Sequence, residues 1–182
     1  VMAAGPLDTV ALGGSGLRVS RLGLGTAPLG NLFTKVQESD ADATIDAALG
    51  AGITFVDTAP HYGLGVAERR LGRRLAQVPR DRFVLSTKVG RLVRPLEAGE
   101  MADPEGFTAT PGAKRVWDFS RDGVRRSLEE SLDRLGLDRI DVALVHDPDN
   151  HEREAVEQAL PALAELRDQG VVRAIGAGMN QA

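Results

Sequence analysis

Three short apolar runs in this 182-residue chain end on side chains that can hold or move a proton. Ile53-Thr54-Phe55-Val56 stops at Asp57, Phe83-Val84-Leu85-Ser86-Thr87 stops at Lys88, and Ile140-Asp141-Val142-Ala143-Leu144-Val145 stops at His146. The chain's one tyrosine, Tyr62, follows shortly after Asp57 in the stretch Thr58-Ala59-Pro60-His61-Tyr62-Gly63. An ordinary phenol, with a pKa of about 10, is a poor proton shuttle at neutral pH, but a cation beside it favours the phenolate, and Lys88 can be that cation. An ammonium in a packed site needs a counter-charge, because an unpaired buried charge is costly, and Asp57 can supply it. His146 can donate a hydrogen bond to a carbonyl oxygen and polarise it. Together the four make a site for protonating or deprotonating an oxygen during carbonyl/alcohol interconversion.

For these residues to meet, the runs must lie side by side, and the rest of the chain reads as the elements that arrange this. Thr9-Val10-Ala11-Leu12 and Leu17-Arg18-Val19-Ser20 flank Gly13-Gly14-Ser15-Gly16, the form of a β-hairpin. Arg21-Leu22-Gly23-Leu24-Gly25-Thr26 follows as a first core strand whose glycines admit another backbone or a ligand. A helix over 39–49 opens on Ser39 with Asp42 three residues on, a capping-box pattern, and closes in Gly50-Ala51-Gly52. A second amphipathic helix, over 65–75, carries Leu71 and Leu75 on one face with Glu68, Arg69, Arg73 and Arg74 elsewhere.

Residues 89–118 show no clear period, hold Pro95, Pro104 and Pro111, and read as a long loop; loops beyond about 15 residues in a compact domain are usually functional lids or disordered. Ser120 caps a third helix with Val124, Leu128, Leu132 and Leu135 on one stripe, stopped by Gly136. A fourth helical segment over 152–169 contains Pro161, which should break or kink it. Val171-Val172-Arg173-Ala174-Ile175-Gly176 is a fifth strand. The order βαβαβαβαβ predicts a parallel sheet covered by helices. Ligands lie beyond the carboxyl ends of such strands, and a spacing of about 4.8 Å brings the ends of strands two, three and four within roughly 10 Å of one another.

Composition narrows the function. One domain is expected at this length, and a chain of this size buries about 70% of its unfolded surface. A formal charge of −4 and a pI near 5.4 give no electrostatic footprint for nucleic acid. Zero cysteines exclude thiol catalysis, disulfides and Cys-ligated zinc. The N-terminus lacks the pattern of a signal peptide and no run approaches the roughly 18 apolar residues of a membrane helix, so a cytoplasmic, membrane-free protein is expected.

Six stretches closely resemble the aldo-keto reductases: Gly23-Leu24-Gly25-Thr26, Phe55-Val56-Asp57-Thr58-Ala59-Pro60-His61-Tyr62-Gly63, Glu68-Arg69-Arg70-Leu71-Gly72, Ser86-Thr87-Lys88, the run from Ser127 to Leu135, and Val145-His146-Asp147-Pro148. The resemblance covers residues 9 to 182 and is strongest to the sugar-oxidising aldose 1-dehydrogenase branch. It implies a (β/α)8 TIM barrel, here truncated to the hairpin plug plus about five β/α units, with NADP or NAD extended across the barrel mouth. It also implies a catalytic tetrad. Tyr62 would be the acid in reduction and the base in oxidation, Lys88 its activator, Asp57 the partner of Lys88, and His146 the group orienting the substrate oxygen. Hydride would pass directly between the nicotinamide and a small carbonyl or sugar substrate. Gly25, Thr26, Asp57 and Asn180 are the expected cofactor neighbours by the same likeness. Gly23-Leu24-Gly25 lacks the third glycine of a Rossmann fingerprint.

Two competing readings stand beside this one. Asp57, His61, His146 and Asp147 near strand ends suggest a metal-dependent hydrolase, which would need further ligands. A five-stranded form leaves two strand edges unpaired and would be a catalytically incompetent fragment prone to self-association. His61 either contacts substrate or turns away from it, and Trp117 either lines the substrate mouth or caps the long loop.

Overall fold

The computed structural model describes residues 5–101 and 105–180. It opens with an antiparallel hairpin of β1 (Thr9–Ala11) and β2 (Arg18–Ser20), in whose turn Gly13 and Gly16 take φ values of +54° and +72°, a region that suits glycine because it has no Cβ to clash. Then come β3 (Gly23–Gly25), α1 (Glu38–Gly50), β4 (Phe55–Asp57), α2 (Val66–Leu75), β5 (Val84–Val89), β6 (Arg91–Pro95), β7 (Ala113–Trp117), α3 (Arg121–Leu135) and β8 (Val142–His146). The chain finishes with α4 (Glu152–Glu154), a π turn over Ala155–Ala159, α5 (Leu160–Asp168) and β9 (Ala174–Gly178). β3, β4, β5, β8 and β9 form one parallel sheet in that spatial order. The expected strand–helix alternation therefore holds. The fifth strand begins later than its apolar start suggests, because the Val171 and Val172 amides are used closing α5 onto the Leu166 carbonyl.

Strand side chains alternate between faces, and the two faces of this sheet do different work. Val56, Leu85, Val89, Ala143 and Val145 point outward into a core shared with Ile45, Leu71, Leu75, Val124, Leu128 and Leu163 of the helices. Fully burying one such side chain is worth roughly 1.5–3 kcal/mol, so this layer carries the bulk of the stability. Val84 and Val142, of opposite parity, point inward at the strand starts and pack on Leu17 and Val19 of the hairpin, with Phe55 and Leu144 alongside. The hairpin thus covers the amino-terminal end of the sheet. α2 and α3 pack backbone to backbone, since any Cβ on Gly72 would run into the Leu135 carbonyl.

Several sequence expectations need correction. α1 starts at Glu38 with Gln37 as its cap and no side-chain capping bond, so Ser39 lies inside the first turn. Its carboxylate anchor explains this: Glu38 accepts from Arg70 Nε at 2.8 Å and Nη2 at 2.6 Å, which fixes the helix start before Ser39. Ser120, in contrast, does cap α3, accepting from the Gly123 amide, and Gly136 ends it in the left-handed region. The helix containing Pro161 is not broken. A π turn over Ala155–Ala159 precedes the proline and accommodates the missing N–H, and the backbone stays helical through Ala159 and Leu160. The predicted long loop over 89–118 contains an antiparallel pair, with Arg91 opposite Trp117 and Pro95 opposite Ala113. Among the described residues no helix is long and apolar enough to cross a membrane.

Candidate active site

Register and parity bring the polar strand ends together. Asp57 lies opposite Ser86, Lys88 opposite Leu144, and His146 opposite Gly178. Each of the three shares the inward parity of Val84 and Val142. Going from β4 to β8, each lies two residues further along the sheet, so the side chains form a rising arc at its carboxyl end. Neighbouring strands are about 4.8 Å apart, which keeps that arc within one site.

Lys88 Nζ stands at its centre, donating to Asp57 Oδ2 at 2.6 Å, to the Thr58 carbonyl at 3.1 Å and to the Tyr62 hydroxyl at 3.0 Å. The lysine side chain is 8% exposed and the aspartate 29%, so the pair is covered on the protein side and open on the other. The Tyr62 loop reaches this position through tight backbone packing. Gly63 has φ +63° and a Cβ there would collide with the Gly30 carbonyl, while a Cβ on Gly30 would meet the Tyr62 carbonyl carbon at 2.6 Å. Leu64 and Gly65 continue the positive-φ run at +54° and +85° into α2. His146 presents its ring edge to Tyr62, with centroids 5.8 Å apart and an interplanar angle of 90°.

The two histidines sit among cations. Burial first, then Arg91 and Lys88, hold His146 well below the ordinary histidine value, so it is neutral at pH 7 and keeps one N–H to donate. Its Nδ1 has no protein partner. Burial, followed by Arg91, Arg115 and Lys88, pushes His61 down to about 3. His61 does not turn away from the site: it is 8% exposed and packs 5.3 Å from the His146 ring. Sequence reading missed its partners. Arg115 Nε lies 2.5 Å from His61 Nδ1, and Arg91 Nη1 lies 3.3 Å from the same nitrogen. Arg91 Nη2 also donates to Asp147 Oδ2 at 2.6 Å. Neither Arg91-Leu92-Val93-Arg94 nor Lys114-Arg115-Val116-Trp117 alternates with period two, so no local pattern announced these arginines.

Another missed group lies behind Lys88. Glu68, expected off the apolar face of its helix, is fully buried. Its carboxylate accepts from Thr87 Oγ1 at 3.0 Å and from Arg134 Nε at 2.6 Å, joining α2 and α3 to the outward side of β5.

The remaining expected residues separate into open and closed. A Cβ on Gly25 would meet nothing within 4 Å, leaving open space beside Asp57. Thr26 is fully buried and its hydroxyl donates to the Asp57 carbonyl at 2.9 Å, tying β3 to β4. Asn180 is exposed in a cleft of about 260 Å3 with Arg91, Trp117, Asp147 and His151. Trp117 lines that cleft, with the Arg91 guanidinium 4.2 Å from its ring centre. Gly25 on β3 and Asn180 just after β9 lie at the two edges of the sheet, so a ligand touching both must extend across its carboxyl end, while the buried His146 Nδ1 faces no open space. A larger cleft, about 760 Å3, lies at the other end of the strands against Leu12, Phe55, Val142 and Leu144. It holds none of Asp57, Tyr62, Lys88 and His146 and is lined by the inner face of the sheet together with Arg167 and Arg173. The metal reading finds no support in the side chains: among the described residues no three His, Asp or Glu groups gather to hold an ion, and guanidiniums flank His61.

The family model described as Aldo/keto reductase family matches residues 21–182. The chain belongs to the aldo-keto reductase family. It is 46% identical over 172 residues to a D-threo-aldose 1-dehydrogenase from a Pseudomonas species, covering 92% of this chain and 52% of that protein. An L-galactose dehydrogenase from Arabidopsis thaliana is 40% identical over 173 residues, covering 93% and 48%. The solved holo form of an aldo-keto reductase from Bacillus halodurans superposes with a TM-score of 0.74 at 29% identity, covering 96% of this chain and 51% of that one. The chain spans about half the length of the curated relatives it matches. The sheet with its hairpin is therefore of the (β/α)8 barrel type, as the sequence resemblance implied.

Proposed function

We propose that the protein is an NAD(P)-dependent oxidoreductase that interconverts an aldehyde, ketone or sugar lactone with the corresponding alcohol or aldose, with Tyr62 as its general acid and base. The observation that carries this reading is the contact of one ammonium, Lys88, with both the Tyr62 hydroxyl at 3.0 Å and Asp57 at 2.6 Å. In the reducing direction Tyr62 gives its proton to the substrate oxygen, and the phenolate left behind is stabilised by Lys88. Asp57 keeps Lys88 charged and aimed. The neutral His146 donates its N–H to the same substrate oxygen and aligns it. In the oxidising direction the phenolate takes the hydroxyl proton. A bound nicotinamide would supply or accept the hydride, with Gly25, Asp57 and Asn180 as the residues placed to hold it and Thr26 bracing Asp57 from behind.

An aldose oxidised at its anomeric carbon is the substrate class favoured by the likeness to the D-threo-aldose and L-galactose dehydrogenases. The test is turnover of L-galactose with NAD+ or NADP+ by the full-length protein and its Tyr62→Phe variant. General acid–base catalysis contributes about 10²–10⁴-fold, so the variant should lose at least roughly a hundredfold in kcat. A variant turning over at the parent rate would overturn the assignment.

A further inference from the structure

The proton chemistry leaves His61 unused, although it adjoins Tyr62 and is buried at the mouth. Four residues close on its ring. Arg115 Nε is 2.5 Å from Nδ1, Arg91 Nη1 is 3.3 Å from Nδ1 and 3.4 Å from Nε2, Glu105 Oε2 is 3.6 Å from Nε2, and the Phe107 ring stands edge-on at 5.1 Å. All four belong to β6, β7 or the segment joining them. Guanidinium groups only donate, so the Nδ1 that meets Arg115 must offer a lone pair. The proton of the neutral ring then sits on Nε2 and points toward Glu105. His61 therefore accepts from Arg115 through Nδ1, and its Nε2 side faces Glu105 at 3.6 Å, so both sides of the ring are turned to the hairpin.

The hairpin is also tied to the barrel by Arg91 to Asp147 at 2.6 Å and by the Leu32–Phe107 bridge. The first acts on the same inward face as His61 and the second on the connecting segment. His61 is the tie that meets both arginines next to Tyr62. Tyr62 does not depend on it: Lys88 holds the hydroxyl and the Gly30–Gly63 contact holds the backbone.

We propose that His61 is a positioning residue that pins the β6–β7 hairpin over the mouth, so that Arg91 and Trp117 form one wall of the substrate cleft. The kinetic half of this inference rests on the oxidoreductase reading, and the structural half does not. The test compares His61→Ala, His61→Phe and His61→Gln in the full-length protein. Glutamine restores an oxygen for Arg115 and an N–H for Glu105, phenylalanine keeps the ring volume without either, and it replaces the alanine variant should that one fail to fold.

Hydrogen exchange of peptides covering 91–95 and 113–117, measured without substrate or cofactor, should speed up by roughly tenfold in the Ala and Phe variants, the effect of one charge-assisted hydrogen bond. It should return toward the parent in the Gln variant, with α2 and α3 unchanged in all. With L-galactose, KM should rise by a similar factor in the Ala and Phe variants while kcat stays within about threefold. Equal hairpin exchange in all proteins would overturn the proposal, as would a fall in kcat at constant KM. A parent protein inert toward L-galactose would count against the oxidoreductase reading, and exchange would still decide this one.

Discussion

Two cation–carboxylate pairs flank β5 at adjacent residues and share the same 2.6 Å separation, yet only one of them keeps an open side. On the outward side Glu68 is completely buried, one oxygen taken by Arg134 and the other by Thr87. On the inward side Lys88 meets Asp57, whose carboxylate keeps 29% of its exposure, and the ammonium has a further donor contact to the Tyr62 hydroxyl. The first pair is saturated by the fold and locks two helices onto the sheet. The second keeps an open side and a phenol, so its charges remain available to a substrate oxygen. Burial and charge alone do not tell the two pairs apart; an unsaturated partner facing space does.

The comparison can be broken from the structural side first. Glu68→Ala removes the fully buried carboxylate and leaves Arg134 only its longer 3.8 Å contact with Glu130, and breaking a buried pair costs about 3–5 kcal/mol. Chemical denaturation should show a loss of that size. A loss below about 1 kcal/mol would mean the outer pair is no more structural than the inner one. Asp57→Asn should do the reverse, lowering kcat by roughly a hundredfold while costing less than half of the stability lost in Glu68→Ala, because the open side lets water replace part of the missing charge. Equal stability losses in the two variants would erase the distinction.

Acid supplies a gentler perturbation. His61 is pushed down to about 3 in the fold, by burial and by Arg91, Arg115 and Lys88, against about 6.5 unfolded. Glu105, Asp147 and His146 face the same ring cluster. Between those values the unfolded chain binds more protons, so stability is present above pH 6.5 and is lost as the pH falls toward 3. His146, lowered in the same direction, adds to the slope. For His61 the loss between pH 6.5 and 5 is on the order of 2 kcal/mol, and His61→Gln should flatten the measured curve over that window. An unchanged slope would contradict the neutral, cation-flanked histidine.

These contrasts explain what the sequence could and could not reveal. The inward-facing site was legible because its residues end apolar runs, and the strand period of two forces Asp57, Lys88 and His146 onto one face once the register is set. The helix stripes were legible for the same reason, through Val124, Leu128 and Leu135. Glu68 was not, since its counter-ion Arg134 lies 66 residues away and a carboxylate among arginines reads as a solvated helix face. The β6–β7 pair was hidden by Pro95 and by a connecting segment rich in proline and glycine, and its two arginines turn inward only because His61 and Asp147 receive them. Pro161 misled because the break it demands is absorbed by a π turn, which no local pattern announces.

The central claim is that Lys88 and Tyr62 act as one unit in moving a proton. A double-mutant cycle on kcat/KM with Tyr62→Phe, Lys88→Met and the combined variant tests it directly. If the two work together, the double variant should be no slower than the worse single one, because the second change removes nothing further. Losses that multiply in the double variant would contradict the account, leaving Lys88 a structural cation that merely lies beside a tyrosine.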